Sequence, residues 1–220
     1  MAISTRDQLI NALGNNSSRF VLDKASMANA AAGQFHSLWR ATGQPGQGVI
    51  PAAAAVCDHT LVGAMGFSQQ TAPATSYGAW VNGVCSNSAV TIEIHDRLMH
   101  MGGLSGIVAA AQTVNLDVSA NLATSNLGAR KGDANYSDIQ WWLEWYTDTG
   151  ATAVTATVNV TYNDGTTANL TGVSLAAARR ASFMQPLTGL IPAADSGKYI
   201  RGVNTVTLSA TTGTAGSFGV

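Results

Sequence analysis

The chain has 220 residues, enough for a full hydrophobic core in one domain, with or without an extension. Charged residues make up only 10% of it, against roughly 25% in ordinary globular domains, and eleven Lys and Arg are scattered among twelve Asp and Glu. Without clustered basic residues to neutralise phosphates, this composition argues against nucleic-acid binding.

A net charge of −1 leaves little repulsion between copies. The surface it implies is neutral and small-polar, which suits a protein held in an assembly and equally a plain small-polar β-protein.

The start, "MAISTRDQLINALG", reads as a helix. Thr5 and Gln8 fit a capping box, Ile3, Leu9, Ile10 and Leu13 form an apolar stripe, and Gly14-Asn15-Asn16 ends it. Arg6 and Asp7 stand where a secretory signal would need an apolar stretch, so synthesis and first folding are expected in a cytoplasm. "SSRFVLDK" reads as extended. The Ala-rich run Asp23 to Ala41 is predicted as a second helix, with Phe35, Leu38 and Trp39 on one side.

"TGQPGQGVIP", residues 42–51, has loop chemistry and divides the chain into an N-terminal helical arm (1–41), a Gly/Pro linker (42–51) and a β-rich domain (52–220). Too short to fold alone, the arm must dock on its own domain or on a neighbouring subunit. The longest apolar run near the linker, "VIPAAAAVCDHTLVGAMGF", is interrupted by Asp58 and His59, so no membrane span is expected.

Beyond the linker the period becomes two. In "IQWWLEWYTD", Ile139, Trp141, Leu143 and Trp145 share one strand face, a core pattern, and Gln140, Trp142, Glu144 and Tyr146 share the other. Asn163-Asp164-Gly165 lies between two Thr/Val-rich runs, predicting a hairpin. "GVNTVTLSATTG" supplies another strand. The expected fold is mainly β: an antiparallel β-sandwich or jelly-roll-like domain with a short α-helical N-terminal arm.

"TIEIHDRLMHMGGLSG", residues 91–106, concentrates histidine and charge. His95 and His100 are five apart, which places them on divergent sides of a helix or opposite faces of a strand, so they lack zinc-protease spacing. "VTIEIHDRL" is predicted as a strand closed by a Gly102-Gly103 turn, with His95 a structural or interface histidine. Asp96 and Arg97 would form a surface pair worth little.

His59 with Asp58, and His36 near Arg40, could each be half of a Ser-His-Asp constellation, but no G-x-S-x-G elbow supports one. No glycine pattern makes a phosphate cradle. No catalytic residue, metal ligand or cofactor is assigned. Cys57 and Cys85 lack metal-type spacing and default to buried free thiols; a bond between them would staple neighbouring segments.

Arg179-Arg180 reads as a solvated pair after a short Ala-rich helical turn. The Asn-x-Ser/Thr triplets at Asn15, Asn16, Asn159 and Asn169 carry no weight without a secretory signal. Trp142 and Tyr146, opposite the core face, are candidates for contacting a partner or a glycan.

Taken together, "MAISTRDQLINAL", "EIHDRLMHMGGLSG", "YSDIQWWLEWYTDTGATA" and "YIRGVNTVTLSATTGTAGSFGV" resemble virion structural proteins of tailed bacteriophages over most of the chain. The resemblance lies in texture and phrases and brings no catalytic residues. It implies a non-enzymatic role, foremost a head-decoration or cement protein on the capsid surface. Its partners would be the major capsid protein and copies of itself, most simply as a trimer. Phe20, Leu22, Phe35 and Trp39 would be apolar anchors of the arm. A tail, neck or baseplate component is the neighbouring expectation, and a glycan-binding adhesin using exposed aromatics is the alternative of another class.

Overall fold

The computed structural model describes residues 3–14, 20–27, 32–66, 81–87 and 89–220. Helix α1 spans Arg6–Gly14. Its capping box is formed: the Gln8 amide donates to Thr5 Oγ1 at 3.3 Å, and Gln8 Oε1 accepts from the Thr5 amide at 3.2 Å.

The predicted helix over Asp23 to Ala41 is not formed at the positions described, and residues 28–31 of it lie outside them. Strand β1 (Asp23–Lys24) pairs instead with β3 (Gly43–Gln44), and β2 (Phe35–His36) joins a sheet. Alanine's helix propensity is worth only tenths of a kcal/mol per residue. Sheet pairing and the burial around Trp39 outweigh it, and Gly33, at φ +73°, takes the chain out of right-handed helical geometry.

The next strands, β4 (Ala55–Val56) and β5 (Met99–His100), pair with each other. The remaining strands are β6 (Leu104–Ser105), β7 (Gln112–Asp117), β8 (Trp142–Trp145), β9 (Val154–Tyr162), β10 (Thr167–Leu175), β11 (Phe183–Pro186), β12 (Ile200–Leu208) and β13 (Ser217–Gly219). Helix α2 (Leu127–Arg130) is a single turn between β7 and β8.

Besides the two-stranded β1-β3 and β4-β5 pairs, the described residues form two larger antiparallel sheets, ordered β10-β9-β12-β7 and β2-β11-β8-β13-β6. Their apolar faces close on one core: Val158, Val160, Leu170, Val203 and Leu116 from the first sheet, Leu143, Trp145, Phe183 and Phe218 from the second. The expected sandwich-like, mainly β fold is therefore present.

Strict alternation would fail on two strands if they were regular. Register shifts between Leu170 and Val173 on β10, and between Val203 and Thr205 on β12, reset the period so that residues three apart, Leu170 with Val173 and Val203 with Val206, all face inward. Gly172, at φ +68°, occupies the first of these bulges.

The hairpin forms where it was expected. Tyr162 donates to Thr166 O at 2.8 Å, Gly165 adopts φ +86°, and Asp164 Oδ1 accepts from the Thr166 amide at 2.9 Å. Gly103, at φ +79°, lies between β5 and β6, where the predicted Gly102-Gly103 turn is not formed.

Candidate interaction surface

Strand β8 organises the region in which most of the predicted contact residues lie. Its inward face holds Leu143 and Trp145, with Ile139 and Trp141 buried just before it, as the alternation predicts. Trp145 stacks on Phe218 with ring centroids 5.7 Å apart.

The opposite face carries Trp142, Glu144 and Tyr146, and the segment around Trp39 covers part of it. Tyr146 and Glu144 are each only 3% exposed. Tyr146 thus presents no ring to a partner in this chain, and its hydroxyl has no hydrogen-bond partner. Trp142 is half-buried and meets Phe35 edge to face at 5.0 Å. These two rings come from segments far apart in sequence. With Gln140, Pro186, Thr188 and Gly189 they line an open cleft of about 280 Å³.

The other anchors divide. Phe20 and Leu22 are exposed just ahead of β1, and Ile3, Leu9 and Ile10 of the arm are 41–57% exposed. The apolar stripe of α1 therefore does not dock on its own domain through these residues. Trp39 is half-buried: its indole Nε1 donates to Val49 O at 2.9 Å, and a side chain at Gly48 would collide with its ring.

Against Trp39 lies a polar cluster the sequence reading missed. The Arg97 guanidinium stacks on the Trp39 ring at 4.8 Å and binds Glu144 Oε2 through Nη1 at 2.7 Å. His100, 2% exposed, faces the Trp39 ring at 6.2 Å. Glu144 Oε1 and His100 Nδ1 have no hydrogen-bond partners.

The carboxylate of Glu144 holds Arg97 firmly protonated despite burial. Burial, and next the positive charge of Arg97, push His100 down to about 4, so it is neutral at pH 7. Burial and the Glu144 charge raise the Tyr146 phenol. The one signal in the sequence was a glutamate embedded in "WWLEWY", where a buried carboxylate needs a cation.

Asp96 and Arg97 do not pair with each other, contrary to expectation. Asp96 receives two bonds from Arg130, at 2.7 and 2.8 Å, and Arg130 also donates to Cys57 O at 2.6 Å. Alternate residues of this run point to opposite sides, so each finds its partner on a different element.

The predicted strand over "VTIEIHDRL" has no strand partner among the described residues from Val90 to Asp96; Leu98 O accepts from the Cys57 amide at 2.9 Å, and Met99–His100 enters a ladder. His95 is exposed, bonded to Glu93 at 3.0 Å and edge-on to Trp142 at 6.5 Å.

The remaining candidates resolve simply. His36 Nδ1 lies 3.1 Å from Ser182 Oγ, but Ser182 is 1% exposed and His36 Nε2 has no partner. That pair lacks both access and a third member. Asp58 bonds Thr60 and Ser125 rather than His59.

No helix precedes Arg179-Arg180: Ala178 sits at φ +52° in a turn, Arg179 stacks on Phe183 at 3.8 Å, and Arg180 pairs with Asp148 at 2.5 Å. Both cysteines are free; Cys57 is buried and Cys85 is exposed, contrary to the default for the latter. Among the described residues no acidic, histidine or cysteine group could hold a metal ion, and no helix is long and apolar enough to cross a membrane.

No family model matches this chain, and no curated protein or solved structure shows significant similarity to it.

Proposed function

We propose that this protein is a non-enzymatic virion structural protein of a tailed bacteriophage, a homo-oligomer that decorates and braces the capsid exterior through the major capsid protein. The observation that carries the reading is the uncovered apolar surface of the N-terminal arm. Ile3, Ile10, Phe20, Val21 and Leu22 are 37–59% exposed on a chain of low charge. Such a surface has the chemistry of an anchor awaiting a protein neighbour.

A protein that binds the assembled lattice but not its free subunits stabilises the lattice by mass action, about 2.7 kcal/mol per site at a hundredfold excess over Kd. Many weak sites then sum to a resistant shell.

The structure dictates where to cut. Phe35 and His36 pair with β11 and Trp39 packs under Arg97, so deleting residues 1–41 would damage the sandwich itself. Deleting residues 1–22 removes α1, Phe20 and Leu22 and spares those contacts. The truncated protein is expected to fold and to be lost from purified capsids, and capsids lacking the protein are expected to fail earlier under heat or osmotic shock. Full retention of the truncated protein, together with equal capsid survival, would refute the proposal.

Copy number separates head from tail, neck or baseplate: hundreds per particle for the former, six or twelve for the latter. The Phe35–Trp142 cleft, with the Gln140 amide and Thr188 on its rim, favours one second reading, a glycan-binding module in which a sugar ring packs on the aromatics. Glycan-array binding abolished by Trp142→Ala, with particle assembly intact, would establish that reading instead.

A further inference from the structure

From Val90 to Asp96 the chain neither turns nor bends, and no backbone amide or carbonyl there has a hydrogen-bond partner among the described residues. The side chains alternate. Glu93 and His95 share one side, bonded to each other, with His95 edge-on to Trp142. Val90, Ile92 and Ile94 occupy the other side and are 51%, 48% and 63% exposed.

A β-branched run of period two thus turns its apolar side outward and leaves its backbone unbonded. The apolar exposure is relieved, and the water-solvated backbone gains a partner ladder, if the run becomes a strand of another sheet.

The same chain offers an edge to receive it. β10 ends its sheet and carries no charged residue and no proline, and ahead of its bulge at Gly172 residues 167–170 present a regular edge. Because the Tyr162 amide bonds Thr166 O, bonded and non-bonded pairs alternate from there. Ala168 and Leu170 bond to β9, whereas Thr167 and Asn169 direct N–H and C=O to the open edge.

We propose that Val90–Asp96 is a donor strand that adds to the β10 edge of a second copy, its Val90, Ile92 and Ile94 side continuing that copy's core face. Charge selects a like chain. The acceptor edge is neutral, Glu93 is hydrogen-bonded to His95, Asp96 is paired with Arg130, and two copies at net charge −1 scarcely repel. Donor and acceptor are different patches, so the contact is head-to-tail and closes as a ring when the rotation allows. This deepens the oligomer of the preceding reading, and it needs no capsid.

Sedimentation of the full-length chain tests it. The donor variant Ile92→Lys/Ile94→Lys and the acceptor variant Asn169→Pro are each expected to weaken self-association at least tenfold. Mixed one to one, they are expected to form a dimer through the single contact that both leave intact. Thr167→Pro, at the same edge, replaces Asn169→Pro if that variant does not fold.

A wild-type protein that stays monomeric throughout the micromolar range, a donor variant that still assembles, or a mixture that stays monomeric would overturn the proposal. So would hydrogen-exchange protection of residues 90–96 in the monomeric acceptor variant, which would mean that the chain's own residues 67–80 or another intrachain segment covers them. Loss of capsid retention with self-association intact would count against the virion role alone.

Discussion

Arg97 and Glu144 make an asymmetric pair, and the asymmetry can be measured. Glu144 is 4% exposed in its side chain and Arg97 is 24% exposed. Replacing Arg97 by Met strands a carboxylate whose other oxygen already lacks a partner. Removing one member of a buried pair costs about 3–5 kcal/mol, or about 10 °C in Tm for a chain of this size.

Replacing Glu144 by Leu leaves a guanidinium that still stacks on Trp39 and can reach water. The cost is then closer to one lost charged hydrogen bond, about 1.5–3 kcal/mol. The double variant Arg97→Met/Glu144→Leu leaves no unpaired charge and is expected to recover most of the loss. Urea unfolding of the four proteins gives the coupling directly. Equal costs for the single variants, with a double variant equal to their sum within about 0.5 kcal/mol, would show that the pair is not a buried latch.

Three further outcomes follow from buried groups. His100 has a folded-state pKa of about 4, below its ordinary 6.5, so between these values the unfolded chain binds a proton that the folded chain does not. Its contribution is lost as pH falls through that window, by about 3 kcal/mol at the limit, and His100→Gln is expected to flatten that part of a pH series of urea midpoints. Burial pushes the Cys57 thiol up to about 12, whereas Cys85 is exposed. A thiol reagent at pH 8 should therefore label one cysteine in the native protein and two in denaturant. Trp145 is fully buried against Phe183 and Phe218; Trp145→Ala is expected to cost about 3–5 kcal/mol by calorimetry, and Trp145→Phe, which also removes an unpartnered N–H, markedly less.

The sequence by itself determined the features whose causes are local. Thr5 and Gln8 are three residues apart and cap their own helix, Asn163-Asp164-Gly165 contains its own turn chemistry, and the two-residue period of Ile139 to Trp145 decides which face is core. Each follows from backbone geometry within a few residues of itself.

Tertiary structure decided the rest, because the partner in each case lies far along the chain. Phe35 leaves its expected helix because β11 offers it a sheet edge, some 150 residues away. Tyr146 is buried because the segment around Pro51 and Gly102 closes over it. Asp96 and Arg97, adjacent in sequence, bind Arg130 and Glu144 on different elements. "VTIEI", predicted as a strand, is unpaired for the same reason: a strand is completed only by the edge of another, and no edge among the described residues reaches it.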